Sequence, residues 1–193
     1  KLWKIGRMAM KQNHLTSFIQ PYLVKLRELT EETANLTIME NGDIVYIAQE
    51  ESLKLIRMFT KIGARVPLHC CAAGKAILAY QPEEKQNSII STLNFRKYTD
   101  KTVVDSNRLK EELEKIRHHG YAFDDEEREV GVSCIAAPIF DFDHEAIAAV
   151  SISGPTSRFD NETKKKFIKN IIAVTKEISE HLGYKDGNKE ITI

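Results

Sequence analysis

Two runs rich in β-formers, Leu36-Thr37-Ile38-Met39 and Ile44-Val45-Tyr46-Ile47, flank the dipeptide Asn41-Gly42. Both turn residues tolerate positive φ, which a two-residue hairpin turn needs, so the chain reverses here and pairs antiparallel. The pattern returns later. Val132 to Ile139 and Ala146 to Ile152 read as strands joined by the turn Asp141-Phe142-Asp143-His144. Leu53 to Phe59 is a third strand candidate beside the first hairpin, and Tyr121-Ala122-Phe123 reads as extended beside the second.

Helical spacing occupies the rest of the chain. Leu15, Phe18, Ile19, Tyr22, Leu23, Leu26 and Leu29 form one stripe. Pro21 interrupts it, which predicts a helix or linker up to about Gln20 and a new helix or a kink from Pro21 to about Thr33. An alanine-rich helix is expected over 72–80, and Pro82 starts a short one with Ile89, Ile90 and Leu93 as its apolar side. Asp105-Ser106-Asn107 offers an N-cap for a helix burying Leu109, Leu113 and Ile116, and Gly120 sits at the C′ position. Asp160 or Asn161 caps a last helix whose buried face includes Phe167, Ile171, Val174 and Ile178, closed by Gly183. Strands in hairpin groups, not alternating strictly with helices, predict an α+β domain: a largely antiparallel sheet covered by helices. No linker splits residues 14 to 184, and residues 185–193 have no stripe to bury and read as a peripheral tail.

At 193 residues the chain is roughly one domain, large enough to bury on the order of 70% of its unfolded surface. Lys+Arg and Asp+Glu both number 28, so the net charge is zero, which argues against a broad nonspecific grip on nucleic acid. No apolar run approaches the ~20 residues of a membrane span, and no signal peptide is visible. Three cysteines without a C-x-x-C pattern support neither a disulfide framework nor a zinc ribbon. A reducing, cytoplasmic setting fits. Residue 1 is Lys, so the expectation is a piece of a longer protein.

Several motifs bear on chemistry. Gly74-Lys75 lacks the glycine five residues upstream and the following Ser or Thr of a phosphate loop: His69 and Ala76 stand there. His69, Cys70, Cys71 and Cys134 are soft metal donors, but adjacent cysteines on a strand would face opposite sides, so no metal is expected. Nothing around Cys134 marks an activated nucleophile, and His118 and His119 end a charged, solvated helix. In Asp124-Asp125-Glu126-Glu127, continued extended backbone would set Asp124 and Glu126 on one face, one of them pointing inward as an acceptor. Ser151 and Ser153 put two hydroxyls on one face of a strand, opposite Val150 and Ile152. Buried, they need hydrogen-bond partners or a small polar ligand. Cys71-Ala72-Ala73-Gly74 opens a helix with very small side chains, where free N–H groups favour an anion such as a carboxylate.

Three segments together resemble one family. Gly63-Ala64-Arg65-Val66-Pro67-Leu68-His69-Cys70-Cys71-Ala72-Ala73-Gly74-Lys75-Ala76 resembles a signature of IclR-type transcriptional regulators. Gly120 to Glu127 with Gly131 to Ile139 resembles a second, and Ala148 to Pro155 a third. The resemblance implies a GAF-like effector-binding domain over 21–184, preceded over 1–20 by the end of a winged-helix wing and a linker helix. The winged helix-turn-helix itself has no counterpart in this chain. Carried over by position, the backbone at Ala72 and Ala73 would hold a carboxylate, and Ser151 and Ser153 would donate to its oxygens. Asp124 would accept from a hydroxyl, Cys134 would line the wall, and Met58 and Val66 would form the apolar side. Family members often carry Gly or Ser where this chain has Ala72 and Cys71. The implied protein is a homodimer or homotetramer that binds a small organic acid, and meets operator DNA only through its N-terminal domain. It is not an enzyme, uses no cofactor and touches no membrane. The rival readings are a small-acid-processing enzyme using Cys134 or Asp124, and a zinc-binding module on the same scaffold.

Overall fold

A computed structural model describes the backbone of residues 2–185 and the side chains from residue 15 onward. The expected tail beyond Lys185 lies outside the described residues. Among those described, the elements run α1 (Leu2–Thr30), β1 (Thr33–Glu40), β2 (Asp43–Glu50), β3 (Arg65–Pro67), α2 (Ala72–Ala79), α3 (Glu83–Thr92), α4 (Ser106–His119), β4 (Ala122–Asp125), β5 (Val132–Phe140), β6 (Ala146–Pro155) and α5 (Asn161–His181). Single 3-10 turns precede α2 and α5.

The strands form one sheet in the order β3-β2-β1-β6-β5-β4, antiparallel at every pairing. Two hairpin groups, β1-β2-β3 and β4-β5-β6, join through the β1–β6 ladder, where Asn35 faces Ser151 and Thr33 faces Ser153. This is the α+β architecture that the hairpin signals predict. Asn41 and Gly42 both take positive φ at the first turn.

Helices cover both faces. On one, Ile19, Leu23 and Leu26 of α1 and Phe167, Ile171, Val174 and Ile178 of α5 pack with Leu36, Ile135, Val150 and Ile152. On the other, α2 contributes Ala72, Ala73, Ala76 and Ile77, and α4 contributes Leu109, Leu113 and Ile116, against Ala122, Ala136 and Ala149. Small side chains on both sides of this second core let α2 lie close to the sheet. The caps are those read from the sequence. Asp105 accepts from the N–H groups of Asn107 and Arg108, Gly120 ends α4 at φ 79°, and Asp160 accepts from Glu162 and Thr163.

Three local expectations are corrected. Pro21 lies inside α1, not at the start of a new helix. Its ring removes one helical donor, but Ile19 and Leu23 on either side are fully buried, and that packing holds the helix together. Residues 2–6, which resemble the end of a wing, are likewise helical backbone within α1. Residues 53–59 form no strand: β3 begins only at Arg65. The apolar residues of that segment do not alternate between a buried and an exposed face, since Leu53, Leu55, Ile56 and Phe59 all point to solvent.

Ile152 is fully buried between β6 and the α1/α5 layer, whereas Leu55 is 97% exposed. Ile152→Ala is expected to lower the unfolding free energy by about 2–5 kcal/mol in urea titrations. Leu55→Ala is expected to stay within about 0.5 kcal/mol of the parent.

Candidate functional site

Antiparallel register lines up side chains across four strands. One row runs Thr33 (β1), Ser153 (β6), Cys134 (β5), Asp124 (β4). The next runs Gln49 (β2), Asn35 (β1), Ser151 (β6), Ala136 (β5), Ala122 (β4). Directly opposed residues share a face, and here it is the α2 face, because Ala122 and Ala136 belong to that core. Strands lie ~4.8 Å apart, so the first row spans roughly 15 Å. Ser151, Ser153 and Asp124 are all buried.

The hydroxyl pair has the partner that buried hydroxyls need. Asn35 donates from Nδ2 to Ser151 Oγ at 3.4 Å and to Ser153 Oγ at 3.3 Å. The Gln49 amide lies 3.0 Å from Asn35 Oδ1 and also reaches the backbone of Thr60. Neither Asn35 nor Gln49 was singled out from the sequence. The signal was present: Thr33, Asn35 and Thr37 form a polar period of two inside an otherwise apolar strand, and all three are buried.

Above these rows stands the start of α2, which packs on β4, β5 and β6. Cys71 is its N-cap and provides no side-chain cap, so the helix leaves its first-turn N–H groups at Ala72 and Ala73 without intrahelical partners. Gly74 is required here, because a Cβ would run into the main chain of Leu68. Cys70 and Cys71 do not lie on a strand, as the sequence reading assumed. They close one 3-10 turn, Cys70 Sγ donating to Pro67 O and Cys71 Sγ to Leu68 O. Burial pushes the Cys70 thiol up to about 12 and holds the Cys71 thiol protonated as well.

Tyr46 joins the same space. Burial raises its hydroxyl, and the charges of Cys134, Cys71 and Asp124 act on it in the same direction. In the sequence Tyr46 reads only as part of a β-forming run. Burial, then Asp124, likewise keep the Cys134 thiol protonated, against a hydrogen bond with Ser153.

Asp124 does not pair with Glu126, as an unbroken strand would have required. Glu126 takes φ 60° and turns the chain, which brings Glu127 back inward. The N–H of Glu127 donates to Asp124 Oδ1 at 2.8 Å. Burial, reinforced by the Glu127 charge, pushes the Asp124 carboxyl up to about 7, against that hydrogen bond and Lys75. Lys75 is itself buried on α2. It donates to Glu112 Oε2 at 2.9 Å, to Phe123 O at 3.1 Å and to Glu127 Oε1. Burial opposes its charge, but Glu127 and Glu112 outweigh that and keep it protonated.

Met58 and Val66, the two expected apolar residues, lie toward the other hairpin group. Met58 sits in the irregular segment after β2, and its carbonyl accepts from Thr33 Oγ1 at 2.8 Å. Val66 lies in β3 opposite Ile44 and packs on the α2-side core. Segment 51–64 is tied down by Glu32, whose side chain is 1% exposed. Arg158 Nη1 donates to both Glu32 oxygens at 2.7 and 2.9 Å and Lys54 to Oε1 at 3.1 Å, while Arg158 Nη2 reaches Ile56 O. A separate open depression of about 540 Å³ lies between α4 and β4, lined by Lys101, Arg108, Glu112 and Glu127 among others. None of the eight expected effector residues lines it. Among the described residues no cluster of three or more His, Cys, Asp or Glu is placed to hold a metal ion, and no helix is long and apolar enough to cross a membrane.

The raised carboxyl has a consequence for stability. Asp124 ionises near pH 4 when unfolded and near 7 when folded, so between these values the folded state holds the extra proton. Stability is therefore expected to fall as pH rises from about 4 to about 7, by on the order of 4 kcal/mol at most from this group. Asp124→Asn should remove that slope. Urea unfolding of both proteins at pH 5 and pH 8 checks it.

Comparison with known proteins identifies the family and the fold. The sequence profile described as "Bacterial transcriptional regulator IclR C-terminal" matches residues 7–180. The regulator KdgR of Dickeya chrysanthemi is 36% identical over 186 residues, 96% of this chain and 61% of that protein. The transcriptional repressor IclR of Escherichia coli is 36% identical over 177 residues, 91% of this chain and 65% of that one. The crystal structure of the Thermotoga maritima IclR superposes with a TM-score of 0.87 at 34% identity, covering 95% of this chain and 74% of that one. The C-terminal domain of E. coli KdgR superposes at 0.77 and 33%, covering 84% and 94%. The chain thus spans less than two thirds of the length of two of these relatives, and it belongs to the IclR family of bacterial transcriptional regulators as their C-terminal effector-binding domain.

Proposed function

We propose that this domain senses a small organic acid on behalf of a DNA-binding transcription regulator whose winged helix-turn-helix precedes it. The observation that carries this reading is the pairing of two buried hydroxyls with an uncapped helix start. The Asn35 amide bonds both serine oxygens; the Ser153 hydroxyl is shared with the Cys134 thiol, and that of Ser151 is the one left to donate. The first-turn N–H groups at Ala72 and Ala73 form the positive end of α2, which packs on β5 and β6. Such donors suit a carboxylate, each charge-assisted bond contributing ~1.5–3 kcal/mol. Asp124 supplies an acceptor for a hydroxyl on the acid, Cys134 forms the wall, and Met58 and Val66 bound the apolar side.

The site binds its acid without turning it over. Its three thiols are held protonated by burial, and a thiol without thiolate character is a poor nucleophile. Binding shifts how copies of the chain associate, as a homodimer or homotetramer, and so repositions the DNA-binding domains. The setting is the cytoplasm, where a metabolite acid and operator DNA meet.

A thermal-shift panel of keto, hydroxy, sugar and aromatic acids tests this. An acid at 100 times its Kd is expected to add about 2.7 kcal/mol, roughly 5–10 °C in Tm. The doubly substituted Ser151→Ala, Ser153→Ala protein should lose that shift. Equal shifts in both proteins, or none with any acid, would sink the carboxylate site.

A further inference from the structure

We infer that the depression between α4 and β4 is a docking groove for an extended segment of a partner protein. The segment adds as a strand to the open edge of β4 and carries acid, base and acid at the alternate positions that face α4. β4 is the last strand of the sheet and pairs with β5 alone. Antiparallel ladders bond every second residue to the neighbouring strand and turn the others outward. Two contacts fix the parity here. The N–H of Glu126 donates to Val132 O on the β5 side, and the carbonyl of Phe123 accepts from Lys75 Nζ of α2 at 3.1 Å. Tyr121, Phe123 and Asp125 therefore turn their N–H and C=O groups away from β5. The depression is lined by these three and by neither Ala122 nor Asp124, so it runs along that edge.

Its other wall is α4. Arg108, Glu112, Lys115 and His119 follow one another three or four residues apart, which puts them on one helical face, and all four line the depression. From Arg108 to His119 the helix rises about 16 Å, and five extended residues span about 17 Å. A helix beside an unpaired strand edge can take a peptide by strand addition, where main-chain bonds give affinity and alternate side chains give selectivity. The volume of about 540 Å³ is that of a ligand-sized cleft, so it admits one segment and not the sheet edge of a second domain with its own helix.

The charges select the segment. With His119 neutral, the lining carries as many cationic side chains as carboxylates, so neither a run of acids nor a run of bases suits it. Lys101 is taken up by Asp125 and Glu126, and Lys75 by Glu112 and Glu127. Three groups on the α4 wall have capacity left. Arg108 reaches only the Lys101 carbonyl at 3.5 Å and Glu112 Oε1 at 3.6 Å. Glu112 gives Oε2 to Lys75, and its Oε1 has only that long contact. Lys115 is exposed and enters no ion pair among the described residues. Along the groove these read cation, anion, cation, which acid, base and acid at every second position of an added strand would answer. The residues between them share the face of Phe123 and carry the main-chain bonds. Lys75 occupies one lone pair of the Phe123 carbonyl and leaves the other.

The probe is a synthetic peptide, acetyl-Val-Glu-Val-Lys-Val-Glu-Val-amide, added to the whole chain and followed by amide-resolved NMR and by fluorescence anisotropy of a labelled copy. Expected are shifts and slowed exchange at the amides of Phe123 and Asp125, and binding about tenfold weaker for the charge-reversed peptide Val-Lys-Val-Glu-Val-Lys-Val. Methylating the valine nitrogens removes the donors and should abolish binding. Lys115→Glu, a change at an exposed position, should weaken the probe severalfold, and replacing one peptide glutamate by lysine should recover it. No binding at about 1 mM peptide overturns the proposal. So does equal affinity for the charge-reversed or the N-methylated peptide, or a footprint away from β4. Shifts at Phe123 and Asp125 that track protein concentration without peptide overturn it in favour of a second copy. Binding that appears only after deletion of residues 186–193 overturns it in favour of the chain's own end.

Discussion

The ammonium of Lys75 is the interaction on which the α2 side of this molecule depends. It sits on α2, reaches Glu112 on α4, and meets both the carbonyl of Phe123 and the carboxylate of Glu127 at the end of β4. Three elements distant in sequence are thereby fixed to one charged point. Burying an ammonium is costly, and it persists only where its donors are satisfied. Here all three have acceptors, so the position of α2 over the sheet and the turn after β4 are set together. That turn presents the N–H of Glu127 to Asp124. The buried carboxyl is thus held in place by a chain of contacts that begins at Lys75.

A second charged cluster does the same for the opposite edge of the proposed site. Glu32 follows α1 almost directly and is buried against Gly154, where a Cβ would strike its carboxylate. Arg158 and Lys54 neutralise it, and Arg158 also holds the carbonyl of Ile56. Segment 51–64 lacks the alternating burial of a strand, so these ion pairs and the Thr33–Met58 hydrogen bond replace a sheet ladder as its anchor. The segment that carries Met58 is therefore held by electrostatics, while Leu53, Leu55, Ile56 and Phe59 face solvent.

What the sequence made legible follows from where local physics decides. The hairpins, the capped helices and the paired face of Ser151 and Ser153 depend on neighbours within a few residues, and the structure has them where the chain signals them. The misread parts are those decided at long range. Pro21 breaks helices in isolation, but the burial of Ile19 and Leu23 outweighs one missing hydrogen bond. Residues 53–59 have strand-like composition, but no neighbouring strand covers them. Asn35 enters the site only because β1 registers against β6, a pairing between residues more than a hundred positions apart, and Tyr46 follows through its pairing with Thr37. Glu127 replaces Glu126 because one residue of positive φ turns the chain, and no local signal fixed that choice.

The polar rows also explain why one face of a single sheet can support a site while the other is plain core. On the α1/α5 face, Ala34, Leu36, Val150, Ile152 and Ile135 meet branched side chains from two long helices. On the α2 face, alternate residues of the same strands are Thr33, Asn35, Ser151, Ser153 and Cys134, and the covering helix opens with two alanines. An apolar residue at any of these positions would satisfy packing, but a buried hydroxyl or amide needs partners in return. Asn35 satisfies part of that demand from within the sheet. The start of α2, with unpaired first-turn donors and small side chains, packs on the strands that carry these rows. Buried polar side chains with small ones packed over them set this face apart from the branched core opposite.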